Sequence, residues 1–207
     1  MEKYDQIKKL QEENLPLGSL MKIIRDLESH GEFQQSITFG LSSNITIDQL
    51  GIFLKKHSMM ANVGANIIQG GYDSHLSNID SFIEKKVDNV VLVNFFDNLL
   101  PSFEAQLEHI NEDMIQEQRE RFRGELGVVL EKSKGFKSVY ISLMDKFNKP
   151  SANNYNQKIK KIIASFNEVI QDYALEYANV RILNIHSVIA DLGYKNSYDH
   201  RFYYKFK

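Results

Sequence analysis

From residue 35 onward, apolar β-branched runs alternate with segments of helical period. The runs are "QSITFGL" (35–41), "ANVGANIIQ" (61–69), "NVVLVNFF" (89–96), "SVYISLM" (138–144) and "VRILNIHSV" (180–188). Between the first two, Ile52, Phe53, Leu54 and Met59 recur at helical spacing. Before the last, Ile159, Ile162, Ile163, Phe166, Val169, Ile170, Tyr173, Ala174 and Tyr177 make one apolar stripe with spacings of three and four. Strand and helix in alternation predict a mostly parallel sheet with helices on both faces. Ahead of the first strand, "LGSLMKIIRDLESHGEF" predicts a helix with Leu20, Ile23, Ile24 and Leu27 on one face and Gly31 as its stop, preceded by a short helix within residues 1–14. The expected organisation is a helical extension over residues 1–34 on an α/β body over 35–207, a single structural domain.

The connection over roughly residues 98–135 exceeds what a crossover needs. Its middle, "NEDMIQEQRERFRGE", sets many charges around a thin apolar stripe of Met114, Ile115 and Phe122. That pattern fits a solvated helix with i,i+4 charge pairs, or an arm that projects toward a partner.

Composition narrows the function classes. With 207 residues, 43% of them hydrophobic and 25% charged, the chain is long enough to bury a core of its own. A net charge of −2 and a pI near 6.3 provide no bulk attraction to nucleic acid or anionic lipid. Cysteine is absent, which removes disulfides, thiolate metal sites and cysteine nucleophiles. The charged N-terminus lacks a signal-peptide core, and no run approaches the ~18 apolar residues of a membrane span. A cytoplasmic protein without nucleic-acid or membrane partners is the expectation.

In an open parallel sheet, ligands meet the carboxyl ends of the strands. The first strand end presents Gly40, Ser42, Ser43 and Asn44, and the second Gly70, Gly71, Tyr72, Asp73 and His75. The third presents Asn94, Asp97 and Asn98, the fourth Asp145 and Lys146, and the tail carries Asp199, His200 and Arg201. These are the parts of a serine hydrolase: a serine on a strand-to-helix turn, glycine N–H groups for an oxyanion, and a late Asp/His pair. Each part also suits a turn or a helix cap. His75 reads as a solvent-facing loop residue, His186 as a packed residue of the fifth strand, and His30, His57 and His109 as helix residues. No histidine pair has metal-ligand spacing and no phosphate-cradling glycine loop is present, so no cofactor or metal is expected in this domain. A nucleotide-handling flavodoxin-like domain ranks last for the same reason.

The order of these pieces resembles the SGNH hydrolase superfamily. Within it, "ITFGLSSNIT", "IIQGGYDSHLSNI" and above all "YDHRFYYKFK" resemble the N-terminal SGNH-like domain of FkbH-like proteins, which carry a HAD-superfamily module after this domain. The resemblance covers nearly the whole chain. It implies a three-layer flavodoxin-like or SGNH-like fold with strand order 2-1-3-4-5. It further implies a setting in which an adjacent HAD module loads a small acyl unit of glyceryl type onto an acyl carrier protein, in polyketide or surface-glycan biosynthesis. The HAD aspartate motif is missing from this sequence, so the chain resembles one domain of, or beside, a larger enzyme.

Departures from the superfamily bear on mechanism. Gly-Asp-Ser becomes Leu41-Ser42-Ser43, which puts Ser43 at the nucleophile position. The asparagine after strand three falls near Phe96, flanked by Asn94 and Asp97. A closing Asp-x-x-His would need aspartate where Ser197 stands, and Asp199 and His200 are adjacent, so on an extended segment they point to opposite faces. The leading expectation is a catalytically weak or inert domain that assists acyl transfer. The alternative is an active esterase or acyltransferase with Ser43, or its neighbour Ser42, as nucleophile, His200 as base, Asp199 beside it, and Gly70, Gly71, Asn94 or Asp97 around the oxyanion. The aromatic run Phe202, Tyr203, Tyr204 and Phe206 is expected to pack onto the body or to await the missing module.

Overall fold

The computed structural model of the chain describes residues 3–12, 15–30, 33–72, 74–96, 109, 111–145 and 154–192. Gly31, Pro101, Pro150 and the aromatic tail lie outside them. The elements run α1 (Lys3–Leu10), α2 (Leu17–His30), β1 (Gln35–Ser43), α3 (Asp48–Met60), β2 (Val63–Tyr72), α4 (His75–Glu84), β3 (Asn89–Val93), α5 (Glu112–Lys132), a 3-10 turn (Ser133–Gly135), β4 (Ser138–Ser142), α6 (Asn154–Glu176), β5 (Val180–Leu183) and α7 (Ile185–Leu192). The five strands make a parallel sheet in the order β2-β1-β3-β4-β5 with helices on both faces, as the alternation and the resemblance implied.

Element ends depart from the sequence pattern where polar residues intervene. β1 and β2 extend to Ser43 and Tyr72, so Ser42, Gly70 and Gly71 lie in strands rather than in loops. β5 stops at Leu183 because Asn184 caps the next helix, its Oδ1 accepting the Ser187 N–H at 3.1 Å. His186, expected in the fifth strand, therefore belongs to α7, and His109, expected on a helix, lies in a turn.

The chain divides into two compact units, residues 1–90 and 91–207, with the division inside β3. In the first, α1 and α2 bury Leu10, Leu20, Ile24 and Leu27 with Met59 of α3. Ala61 caps the C-terminus of α3, and Asn62 takes the left-handed position that follows, with φ 58°, which asparagine tolerates better than most residues. α4 lies against β1 where Gly40 has no side chain: a Cβ there would sit 2.6 Å from the Phe82 ring. Phe82 is fully buried, a placement worth roughly 1.5–3 kcal/mol, and it fixes how near α4 comes to the strand.

In the second unit, the α6 stripe buries Ile159, Ile162, Phe166, Val169 and Ile170. Phe166 meets Phe96 edge-on at 6.0 Å between centroids and Phe122 of α5 at 5.5 Å. The charged segment is helix α5, and part of its polar face reaches α6. Arg119 pairs with Glu168 and Arg123 with Asp172, while the Tyr173 hydroxyl donates to the Arg123 carbonyl at 2.9 Å.

Candidate functional site

The site begins with a fault in strand pairing. β1 and β2 pair in step from Gln35 with Val63 to Leu41 with Gln69, after which Ser43 pairs with Tyr72. Two steps on β1 (41 to 43) thus match three on β2 (69 to 72). The extra residue falls in Gly70-Gly71, opposite Ser42. Such a bulge bends its strand and re-aims neighbouring side chains. Gly70 also leaves room for a side chain from α4, since a Cβ there would sit 2.6 Å from Asn78 Cγ.

Asn78 occupies that room and ties both strands together. Its Oδ1 accepts the Gly71 N–H at 2.7 Å, and its Nδ2 donates to the Gly71 carbonyl and to Ser42 Oγ, each at 2.7 Å. A backbone N–H only donates and a carbonyl only accepts, so the two bonds to Gly71 fix which end of the amide is which. Ser42 Oγ is therefore an acceptor toward Asn78. Its own proton is available to His75 Nδ1, 2.7 Å away, when the ring proton sits on Nε2. Ser42 is 1% exposed and its bond to Asn78 is buried, while the His75 end of the chain is half-buried and the Gly71 end exposed.

His75, Asn78 and Phe82 share one face of α4 by their spacings of three and four. Phe82 seats the helix on Gly40, and the same seating brings His75 and Asn78 to the strand ends. His75 is not the solvent-facing loop residue expected from the sequence: it is the first residue of α4, half-buried, against Ser42.

The other nominated residues are placed as follows. Ser43 is also buried, but its Oγ accepts the N–H of Ile45 at 2.9 Å, a local turn bond. The Gly71 N–H is bonded to Asn78. Asn94, in the second unit, is buried, and its backbone N–H donates to Ser142 Oγ at 2.8 Å. Asp145 offers its carbonyl to the Phe96 N–H at 3.1 Å. Asp97, Asp199 and His200 lie outside the described residues, so the structure brings together Ser42, Gly70 and Gly71 of the nominated set, joined by His75 and Asn78.

Asn78, Ser142 and Asn167 went unnoticed in the sequence. Asn78 carried a signal, because it stands in phase with Ile79 and Phe82 on the apolar face of α4 and is buried with them. Asn167, on α6, clamps Met144 beyond β4, accepting its N–H at 2.7 Å and donating to its carbonyl at 3.0 Å. Ionisation is displaced chiefly on α5 and α6. Burial pushes the Tyr173 and Tyr177 hydroxyls up, while hydrogen bonds from Lys134 and Tyr177 draw the Glu131 carboxyl down. Among the described residues no cluster of histidine and carboxylate side chains is placed to hold a metal ion, and no helix is long and apolar enough to cross a membrane.

No family model matches the chain, and no curated protein matches it in sequence. Among solved structures it is similar to the N-terminal part of the protein BF1531 from Bacteroides fragilis, containing a phosphatase domain and complexed with Mg. That similarity has a TM-score of 0.68 at 12% identity, covering 99% of this chain and 50% of the other. An acetyl xylan esterase, AlAXEase, gives a TM-score of 0.48 at 16% identity, over 78% of this chain and 83% of that one. This chain spans half the length of the Bacteroides fragilis structure, and with that half it shares a fold.

Proposed function

We propose that the chain is an SGNH-like domain that works beside a HAD-type module and assists transfer of a small acyl unit, of glyceryl type, to a carrier protein. In this reading it is weak or inert as a hydrolase. The observation that carries the reading is the engagement of the Gly71 N–H with Asn78 Oδ1 at 2.7 Å. An oxyanion donor must be free to meet charge as it develops, and losing one such donor lowers turnover by about 10²–10³-fold in enzymes that depend on it. The Asn94 N–H is likewise engaged, by Ser142. The partner half of the proposal draws support from the resemblance of the chain's last residues to the family's tail, and from a phosphatase domain in the same chain as the similar fold.

The test has two arms. Sustained hydrolysis of p-nitrophenyl acetate and butyrate is expected to be indistinguishable between the protein and its Ser42→Ala/Ser43→Ala double variant; multiple turnover that disappears in the variant contradicts the inert reading. In the second arm, a HAD-type module encoded with this chain is given its carrier protein, and loading is followed by intact mass. Loading is expected to fall when this chain is withheld, and unchanged loading removes the assisting role.

A further inference from the structure

A serine that only closes a turn bonds to nearby backbone, as Ser43 does with Ile45. Ser42 is held differently. Its hydroxyl meets two side chains, His75 and Asn78, that lie 33 and 36 residues further on and come from one face of one helix. Two glycines admit that helix: Gly40 under Phe82, and Gly70 under Asn78. The outcome is an ordered chain from the Asn78 amide through the Ser42 hydroxyl to the His75 imidazole, a nucleophile with a base inside hydrogen-bond reach.

We propose that Ser42 is an acyl-accepting nucleophile with His75 as its base, and that its substrate is a small activated acyl group, an oxyester or a thioester. The Oγ–H bond breaks and its proton passes to His75 Nδ1, while Oγ forms a bond to the carbonyl carbon. The bond from that carbon to the leaving oxygen or sulfur then breaks, its electron pair stays with the leaving group, and the proton on His75 is handed to that group or to water. The enclosure of Ser42 restricts the acyl group to a small one. Approach is from the segment around His75, where Gly71, Tyr72 and Ser74 are exposed. The engaged Gly71 N–H slows both steps, but the incoming acyl group carries an activated leaving group whereas the acyl-serine is an ordinary alkyl ester, so release is the slower step and the acyl-serine persists. The proposal thus goes beyond the assisting role at one residue: a domain inert to turnover still takes up one acyl group.

The experiment treats the full chain with p-nitrophenyl acetate in one arm and S-acetyl-N-acetylcysteamine in the other, followed by intact mass and peptide mapping. One acetyl group per chain on Ser42 is expected. Labelling by both reagents shows an activated carbonyl to be sufficient, and labelling by one alone identifies the oxyester or thioester source. Ser42→Ala abolishes the label and Ser43→Ala keeps it. His75→Gln, checked for folding by circular dichroism, slows labelling by about 10²-fold or more and removes the rise in rate with pH that a deprotonating imidazole gives. The proposal is overturned if neither reagent labels the protein, if the acetyl group sits on lysines or Ser43 and survives Ser42→Ala, or if folded His75→Gln labels with the rate and pH profile of the parent. Because the readout is a single covalent event, its failure leaves the partner role standing, and failure of the carrier assay leaves this one standing.

Discussion

Gly70 and Gly71 are neighbours in the sequence with different physical duties. A Cβ on Gly70 meets the Asn78 amide at 2.6 Å, well inside contact distance, whereas a Cβ on Gly71 meets Asn78 Oδ1 at an ordinary 3.5 Å. Asn78 is buried and bonded on both sides, so it has no cheap way to retreat. Gly70→Ala is therefore expected to cost about 1–3 kcal/mol, the usual range for overpacking, and to unseat the donor to Ser42. Gly71→Ala is expected to cost clearly less. Urea unfolding of the two variants checks this, and equal costs contradict it. The glycine pair was legible in "QGGYDSH" as a strand-end feature suited to a positive φ, close packing or an oxyanion contact, but not which of the two glycines admits a side chain. Which glycine faces α4 depends on the bulge, and a bulge is a property of two paired strands that neither strand's own pattern reveals. Alignment by motif puts Ser43 at the nucleophile position and carries no information about which hydroxyl an imidazole reaches; among the described residues that hydroxyl is the one on Ser42.

At the scale of elements, the helices with a continuous stripe read most clearly. The α6 stripe predicted from spacing is the one that buries Ile159, Ile162, Phe166, Val169 and Ile170. The charged segment read as a solvated helix or a projecting arm; it is a helix, and it uses Arg119 and Arg123 to reach α6. The contact between α5 and α6 makes a pH prediction with a definite sign. Burial raises the Tyr173 hydroxyl above its ordinary value of 10.0, and Tyr177 is raised as well, so the folded state favours their neutral forms. A raised folded value means the contribution is complete below about pH 10 and is lost as pH climbs through the raised value. Stability measured by urea is thus expected to fall above pH 10. Tyr173→Phe removes the bond to the Arg123 carbonyl, at about 0.5–1.5 kcal/mol near neutral pH, and makes the alkaline loss shallower. An alkaline limb as steep in Tyr173→Phe as in the parent protein contradicts the assignment.

For the whole molecule, the alternation of apolar β-branched runs with segments of helical period was enough to foresee a parallel sheet, and the resemblance implied its strand order. Of the nominated site residues, Ser42, Gly70 and Gly71 lie together at the ends of β1 and β2, where His75 and Asn78 of α4 join them. The carboxyl ends of β1 and β2 do gather polar groups, because there the strands leave the core and helix α4 begins. Among the described residues the imidazole that reaches the serine comes from the helix after β2, while His200 of the tail, which the hydrolase order suggested, lies outside them. His75 looked like a loop residue because nothing in "YDSHLSN" marks the first turn of a helix until Ile79 and Phe82 set its phase.

The central claim is that the Ser42 hydroxyl gives its proton toward His75 Nδ1. Long-range ¹H–¹⁵N correlation NMR of the histidine rings reads this directly. The account predicts a His75 ring with the proton on Nε2 and a hydrogen-bonded, unprotonated Nδ1 whose shift moves on Ser42→Ala. A proton on Nδ1, or an Nδ1 signal indifferent to that substitution, would contradict it.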